Sequence, residues 1–152
     1  MIRLARQEDA AAVSALVDAA FGIYIPRLGR KPLPMLEDYV ALISKGIVHV
    51  LEENGVIDGL VVLIPEDGAM MLSNIAVRPD AQGRGLGRLL LNFAEAKARG
   101  DGYEAIRLYT NEVMIENLAI YEHCGYAEIH RTEDVISTSL SSRRVYMAKQ
   151  LR

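Results

Sequence analysis

Tryptophan is absent from this sequence of 152 residues, and cysteine occurs once, as Cys124. A single thiol forms neither an intrachain disulfide nor a multi-thiolate metal site, and it suits a reducing compartment. Long apolar runs are missing as well, because the longest, residues 60–64, is far shorter than the ~20 residues of a membrane-spanning helix. Glu8 and Asp9 precede any apolar run, so no signal peptide is predicted. We therefore expect a cytoplasmic protein with no membrane partner.

An excess of one sign of charge is also missing. Lys and Arg number 17 and Asp and Glu number 20, which gives a net charge of −3. A mildly acidic chain lacks the basic footprint of a nucleic-acid-binding protein, so we expect no nucleic-acid partner. The hydrophobic fraction of 51% and the charged fraction of 24% are typical of a folded globular protein. The length is that of one domain, and we predict a single domain over residues 1–152.

Histidine is scarce too. The three histidines are His49, His123 and His130, and no two of them stand three or four residues apart. Metal sites in proteins need several ligands brought together, and such spacing is their usual local signal. We therefore predict no metal site.

The hydrophobic pattern predicts alternating strands and helices. The predicted strands are 2–5, 48–53, 56–64, 69–77, 105–110, 126–133 and 143–149, and the predicted helices are 8–21, 36–43, 86–99 and 114–121. Gly22 is expected to end the first helix, and the proline-containing segment 23–35 is expected to be irregular. Asn54-Gly55 supplies the positive φ angles of a tight hairpin turn. The order β-α-α-β-β-β-α-β-α-β-β predicts an α/β or α+β fold, with a mixed sheet and helices on its faces.

The most informative segment joins a strand to a helix and is rich in glycine. Its sequence is Gln82-Gly83-Arg84-Gly85-Leu86-Gly87-Arg88. Glycines at a helix entrance let backbone N–H groups approach a ligand, and the unpaired N–H groups of the first turn attract an anion such as phosphate. The segment fails both the Walker A pattern and the G-x-G-x-x-G/A dinucleotide pattern, in which Arg88 or Leu90 would occupy the sixth position. A turn that serves only close packing is the alternative interpretation.

The same residues match the pattern Q/R-x-x-G-x-G/A. The strand before them ends in Asn74-Ile75-Ala76-Val77-Arg78-Pro79. Together with the order of predicted elements, this segment resembles the acyl-CoA-binding core of the GNAT N-acetyltransferase superfamily, and the resemblance covers nearly the whole chain. It implies a mixed, mostly antiparallel sheet flanked by helices, with acetyl-CoA as the acyl-donor substrate.

The resemblance also implies roles for individual residues. The CoA pyrophosphate would be held by the backbone of Gln82, Gly83, Arg84, Gly85, Leu86, Gly87 and Arg88. The pantetheine arm would pair like an added strand with Ile75, Ala76 and Val77. In the family this strand is bulged, and a backbone N–H within the stretch that matches residues 74–76 points at the thioester oxygen.

Acetyl transfer from a thioester to an amine demands both a base and an acid. The amine must be neutral to attack and the departing thiolate gains from a proton, while alkyl amines have pKa ~10.4 and thiols ~8.5. The family's acid is often a tyrosine in a Y-x-x-x-G-F/Y pattern, which Tyr121 matches through Gly125 and Tyr126. Tyr121 is therefore the candidate catalytic acid, with a packed core tyrosine as the alternative.

Two residues depart from the family pattern. Met114 occupies the family's asparagine position, and Asn117 lies one turn nearer the tyrosine, where it either contacts the pantetheine and adjacent backbone or caps the helix. The strand 69–77 carries no acidic residue, so the general base is unassigned. Glu66, Asp67 or a chain of water molecules are the candidates for it.

The acceptor pocket is expected near the connection between the first two helices, as in this fold class. The candidate substrate-binding residues are Tyr24, Arg27, Arg30 and Tyr39, with an ordinary solvated loop as the alternative. The Ser/Thr-rich segment 137–142 is a candidate cover for the same pocket.

We predict an acyltransferase that moves an acetyl group from acetyl-CoA to a small-molecule or peptide amine by direct attack in a ternary complex. A non-catalytic acyl-CoA-binding sensor or interaction module is the alternative, motivated by the missing acidic residue. A nucleotide- or phosphate-binding domain is a second alternative. A homodimer is compatible with the sequence, although no pattern in it fixes an interface.

Overall fold

A computed structural model describes residues 1–135 and 141–151 of the chain, so the candidate pocket cover falls outside the described residues except at 141 and 142. The strands are β1 (Ile2–Leu4), β2 (Val48–Glu53), β3 (Val56–Glu66), β4 (Ala69–Val77), β5 (Ala105–Asn111), β6 (Ala127–Val135) and β7 (Ser141–Gln150). The helices are α1 (Ala10–Phe21), α2 (Ile25–Leu28), α3 (Tyr39–Ser44), α4 (Leu86–Gly100) and α5 (Ile115–His123).

The seven strands form one sheet in the order β1-β2-β3-β4-β5-β7-β6. Only β4 and β5 pair in parallel within the part of the chain that the structure describes, and the other neighbours pair antiparallel. The β2–β3 hairpin turns at Asn54 and Gly55, whose φ angles of 53° and 77° are both positive, as predicted. The predicted mixed, mostly antiparallel sheet with flanking helices is confirmed.

Helices cover both faces of the sheet. Successive residues of β3 point to opposite faces, so Leu60 and Val62 pack with α1 and α3, while Val61 and Leu63 pack with α4. All four side chains are buried, which is why the second arm of the hairpin is almost wholly apolar in the sequence. The two cores lie back to back across the sheet.

The first connection is more helical than expected. After α1 the chain continues in a right-handed conformation through Gly22 (φ −57°) into a 3-10 turn and then α2. Pro26 lies in the first turn of α2, where a missing N–H leaves no helical hydrogen bond unmade. The chain leaves the helical conformation at Gly29, whose φ is 74°. The prediction of an irregular segment directly after Gly22 was therefore wrong.

The second predicted helix begins later than expected. The Asp38 side chain accepts a hydrogen bond from the Ala41 backbone N–H at 3.2 Å and caps the N-terminus of α3. Residues 33–36 form a separate 3-10 turn. An Asp cap of this kind fixes where a helix starts, so α3 begins at Tyr39.

Among the described residues, one helical stretch of 22 residues, Gln7–Leu28, is long and apolar enough to cross a membrane by length and composition alone, and an 18-residue window within it has a mean hydropathy of 1.4. Core helices of soluble proteins meet the same criterion. In this fold Val13, Leu16 and Val17 of the stretch are buried in the core shared with the sheet. Its apolar face therefore has a partner within the protein.

The parallel pair β4–β5 opens the middle of the sheet. Its ladder runs from Met70 opposite Ile106 only as far as Leu72 opposite Leu108. On the other side of β4, the register against β3 shifts, because Val62 faces Asn74 whereas Leu63 faces Leu72. Ser73 is therefore the extra residue of a β-bulge, which bends the strand where it leaves β5. A cavity lined by Leu72, Ser73 and Asn74 lies at this opening.

Candidate active site

A groove runs between the N-terminus of α4 and the side of α5. We call it the glycine groove, and it is lined by Gln82, Gly83, Gly85, Leu86, Gly87, Arg88, Ala119, Ile120, His123 and Cys124. Gly83 and Gly85 have φ angles of 84° and 77°, and Gly85 is the N-cap of α4. A Cβ atom at Gly83, Gly85 or Gly87 would meet no heavy atom within 4 Å, so none of the described residues occupies the space that these glycines leave open.

The surroundings of the glycine groove suit an anion. The backbone N–H groups of the first turn of α4 have no partner within the helix and carry partial positive charge. Arg88 lines the groove, whereas Arg84 does not line it and has its guanidinium 3.9 Å from the Asp58 carboxylate. Gln82 donates from Nε2 to the Val77 carbonyl at 3.2 Å and so ties the loop to the end of β4. The groove therefore fits a phosphate or pyrophosphate group, with Arg88 as its nearest predicted cation.

A second hollow, the central cavity, opens where β4 and β5 separate. Of the predicted site residues, those that line it are Arg30, Tyr39, Ile75, Asn117 and Tyr121. The polar residues that line it and whose side chains had no predicted role in a site are Glu37, Ser73, Asn74, Tyr109, Thr110, Asn111 and Arg144. Residues of α5 line both hollows, so this short helix stands between the glycine groove and the central cavity.

Tyr121 lies on the cavity side of α5 and is 8% exposed. Its ring packs edge-on against Tyr126, with centroids 6.0 Å apart. Burial raises the pKa of the Tyr121 phenol, and the neighbouring Tyr24 phenol raises it further, so the hydroxyl stays protonated near neutral pH. No residue within 1–135 and 141–151 accepts a hydrogen bond from it. The side chain is thus both a packed core residue and a protonated donor at the cavity.

The predicted pantetheine-binding residues fall on both sides of β4. Ile75 lines the central cavity, and Ile75 and Val77 pack against the core on the α4 side. Ala76 is buried in the core on the α1 side. Asn117 is not the N-cap of α5, because Met114 occupies that position. Asn117 is instead one of the residues that line the central cavity. Their contacts with pantetheine stay a prediction.

Tyr39 and Asn74 form a hydrogen-bonded pair at the wall of the central cavity. The Tyr39 hydroxyl donates to the Pro34 carbonyl at 2.6 Å and accepts from Asn74 Nδ2 at 2.9 Å. Burial raises the pKa of the Tyr39 phenol. The hydroxyl is therefore committed to two protein partners, although the residue lies where the acceptor pocket was predicted.

Tyr24 and Arg27 have contacts within the protein and do not line the central cavity. Arg27 Nη1 lies 2.8 Å from both carboxylate oxygens of Glu116 and 3.3 Å from the Val113 carbonyl, and its guanidinium stands over the Tyr24 ring. These contacts hold α2 against α5. A role for either residue in substrate binding stays a prediction, and Arg30 is the predicted cation that does reach the cavity.

The candidates for a general base are also placed. Glu66 pairs with Ala69 at the end of β4 remote from the glycine loop, and neither Glu66 nor Asp67 lines the groove or the cavity. Glu37 is the carboxylate among the described cavity-lining residues. One signal for this wall was present in the sequence, since Ser73 and Asn74 are the only polar side chains in an apolar strand.

Comparisons with known proteins agree with this geometry. Residues 44–128, more than half of the chain, match the family model of the acetyltransferase (GNAT) domain. Among curated relatives, a mycothiol acetyltransferase of Beutenbergia cavernae is 29% identical over 83 residues, 55% of this chain and 28% of the relative. An amino-acid acetyltransferase of Ralstonia nicotianae is 32% identical over 113 residues, 72% of this chain and 23% of the relative. The chain thus spans about a quarter of the length of these curated relatives.

Solved structures show the same fold. The ribosomal-protein-S18-alanine N-acetyltransferase of Escherichia coli superposes with a TM-score of 0.80 at 21% identity, over 99% of this chain and 93% of that chain. An N-acetyltransferase of Thermoplasma acidophilum in complex with coenzyme A superposes with a TM-score of 0.79 at 15% identity, over 99% and 98% of the two chains. With the family model and the glycine groove, these likenesses lead to one conclusion: the chain belongs to the GNAT acetyltransferase family.

Proposed function

We propose that this protein transfers an acetyl group from acetyl-CoA to an amine acceptor by direct attack in a ternary complex. The observation that carries the proposal is the arrangement of the two hollows around α5. The glycine groove lies on one side of this helix, and the central cavity with the protonated Tyr121 lies on the other. Such an arrangement suits a long donor whose phosphate and reactive ends are bound at separate places.

The donor would be held by this chain's backbone more than by its side chains. Gln82–Arg88 would bind the pyrophosphate through the unpaired N–H groups at the start of α4, with Arg88 as a cation beside it. The pantetheine would lie along residues 75–77, where the parallel ladder with β5 has ended and no described strand pairs with that edge of β4. The bulge at Ser73 would turn a backbone N–H toward the thioester oxygen, where it would stabilise the oxyanion.

The proposed reaction balances without any further reactant. The amine nitrogen forms a bond to the thioester carbonyl carbon, and the carbon–sulfur bond then breaks. Tyr121 gives its hydroxyl proton to the departing sulfur. The attacking nitrogen releases one proton to solvent, and the Tyr121 phenolate takes up one proton from solvent, which restores the phenol. Burial raises the pKa of this phenol, so it is protonated when the carbon–sulfur bond breaks. The products are the acetylated amine and free CoA thiol.

The names of similar proteins support an amine acceptor and leave its identity open. One curated relative is named for amino acids, and one solved structure is named for an alanine of a ribosomal protein. Both small-molecule and peptide amines therefore remain within the proposal. The alternative function, a CoA-binding sensor without turnover, draws its support from the absence of an acidic side chain on β4.

Two measurements on the full chain test the proposal. Thermal unfolding is followed with acetyl-CoA, ATP or NAD present, and a ligand at 100 times its Kd adds ~2.7 kcal/mol to the free energy of unfolding. We expect this gain with acetyl-CoA and none with the other two nucleotides. Steady-state release of CoA thiol is then measured over a panel of amines. If the protein binds acetyl-CoA but releases no CoA thiol with every amine of the panel, the sensor function is supported. If ATP or NAD stabilises the protein and acetyl-CoA does not, the CoA site is refuted.

A further inference from the structure

One polar atom at the central cavity lacks the partner that its burial calls for. Asn74 follows the bulge residue Ser73 on β4, lines the cavity and is 6% exposed. Its Nδ2 donates to the Tyr39 hydroxyl, but its Oδ1 is buried and accepts no hydrogen bond from the residues that the structure describes. Buried acceptors in native proteins nearly always have a partner, so this one is expected to receive a donor that enters the cavity.

The hydrogen bonds around Tyr39 fix which way the Asn74 amide points. A phenol has one hydrogen, and the Tyr39 hydroxyl gives it to the Pro34 carbonyl at 2.6 Å. Toward Asn74 the hydroxyl can therefore only accept, which requires the NH₂ group of the amide to face it. The carbonyl oxygen of the amide is then the atom left for a ligand. A flipped amide would place two acceptors against each other.

Asn74 also lies on the face of the sheet away from the glycine groove. It pairs in register with Val62, whose side chain packs with α1 and α3, and its partner Tyr39 begins α3. The glycine groove lies at α4, on the opposite face. A donor that reaches Asn74 therefore comes from the side that the acetyl acceptor would occupy, rather than from the phosphate side.

We propose that Asn74 Oδ1 accepts a hydrogen bond from the N–H of the acceptor amine and holds the nitrogen for attack, an inference that rests on the proposed function. Because the amide oxygen contacts an N–H, the lone pair of the amine nitrogen stays free for attack. An amide oxygen is also too weak a base to take the proton from the amine. It also carries no full charge and gives the ammonium form less stabilisation than a carboxylate would. Tyr39 is the positioning residue, because its hydroxyl binds the NH₂ group of Asn74 and so leaves Oδ1 for the amine.

Two derivatives of CoA test the proposal without knowledge of the acceptor. In the amide derivative the CoA sulfur carries CH₂–C(O)–NH–CH₃, and in the ester derivative it carries CH₂–C(O)–O–CH₃. The two differ only at the position of the acceptor atom, where the amide has an N–H and the ester has an oxygen. Calorimetry on the wild-type full chain is expected to show about 10-fold tighter binding of the amide, the factor that one hydrogen bond of ordinary net strength gives. Asn74→Leu is expected to bring the ratio close to one, while the Kd of CoA itself stays unchanged.

Tyr39→Phe separates positioning from contact. It keeps Asn74 but removes the acceptor that orients the amide, so we expect the amide-to-ester preference to fall to about 2–5-fold with an unchanged Kd for CoA. A wild-type protein that binds both derivatives equally, or an Asn74→Leu protein that keeps the 10-fold ratio, overturns the proposal. A Tyr39→Phe protein that keeps the full ratio overturns the positioning role alone. Failure of wild type to bind CoA refutes instead the proposed function.

Discussion

The glycine groove at the start of α4 leads to a quantitative prediction for the variant Gly85→Ala. Gly85 has φ 77°, a left-handed conformation that costs an alanine ~1–2 kcal/mol, and an added Cβ there meets no protein atom within 4 Å. The apo protein should therefore lose only this amount, which lowers the Tm by about 2–8 °C for a chain of this size. If the pyrophosphate lies against the Gly85 backbone, the same methyl group occupies its place, and the Kd of CoA should rise at least ~10-fold.

Gly68→Ala is the matched control for this variant. Gly68 lies in the turn between β3 and β4, has φ 81°, and likewise has no heavy atom within 4 Å of the position that a Cβ atom would take. Both variants should show the same loss in thermal unfolding, since the backbone strain is the same. Only Gly85→Ala should weaken CoA binding, measured by calorimetry. Equal CoA affinities for the two variants would refute the assignment of the glycine groove as the pyrophosphate site, because backbone strain alone would then explain the effects of both substitutions.

Three further predictions concern catalysis, a buried ion pair and acid stability. Tyr121→Phe should lower kcat by ~10²-fold, with the Kd of CoA unchanged, and an unaltered kcat would remove Tyr121 as the acid. Lys149→Met should lower the free energy of unfolding in urea by about 3 kcal/mol, because it leaves the Glu95 carboxylate, which is 6% exposed and 2.9 Å from Lys149 Nζ, without its cation. The Arg3 guanidinium lowers the pKa of Asp9, so the stability that this pair adds is present above pH ~4 and is lost as pH falls through the lowered value. Asp9→Asn should therefore unfold at a lower urea concentration at pH 7 and lose less of its stability between pH 7 and pH 3, whereas an unchanged pH dependence would contradict this reasoning.

Local signals in the sequence located most elements. Hydrophobic periodicity predicted the seven strands and the helices α1, α3, α4 and α5, but not α2. Asn54-Gly55 marked the hairpin because positive φ angles are strained for most other residues. The same kind of local signal was misleading at Pro26. A proline is compatible with the first turn of a helix, and whether it breaks or begins a helix depends on where the preceding turn ends.

The two halves of the candidate site differ in how far the sequence could predict them. The α4 side of the glycine groove is built from consecutive residues, so pattern and spacing were enough to place Gln82–Arg88 at the start of a helix, whereas its α5 side comes from residues more than 30 positions later in the chain. The central cavity joins residues far apart in the chain, as with Tyr39 and Asn74, which are 35 residues apart. No periodic pattern encodes such a pair, because it forms only when α3 packs on β4.

The order of residues was thus sufficient for most of the local conformation of the chain, namely the helix and strand periods, the tight turn and the helix entrance that suits an anion, with the segment after Gly22 as the exception. Long-range packing selects which strands are neighbours, and β7 comes to lie between β5 and β6 although it is the last strand in the chain. It also makes β4 part from β5 after Leu72 and places Arg27 against Glu116. Local conformation follows from the steric and hydrogen-bonding preferences of adjacent residues, whereas the opening in the sheet and its polar lining depend on contacts between distant parts of the chain.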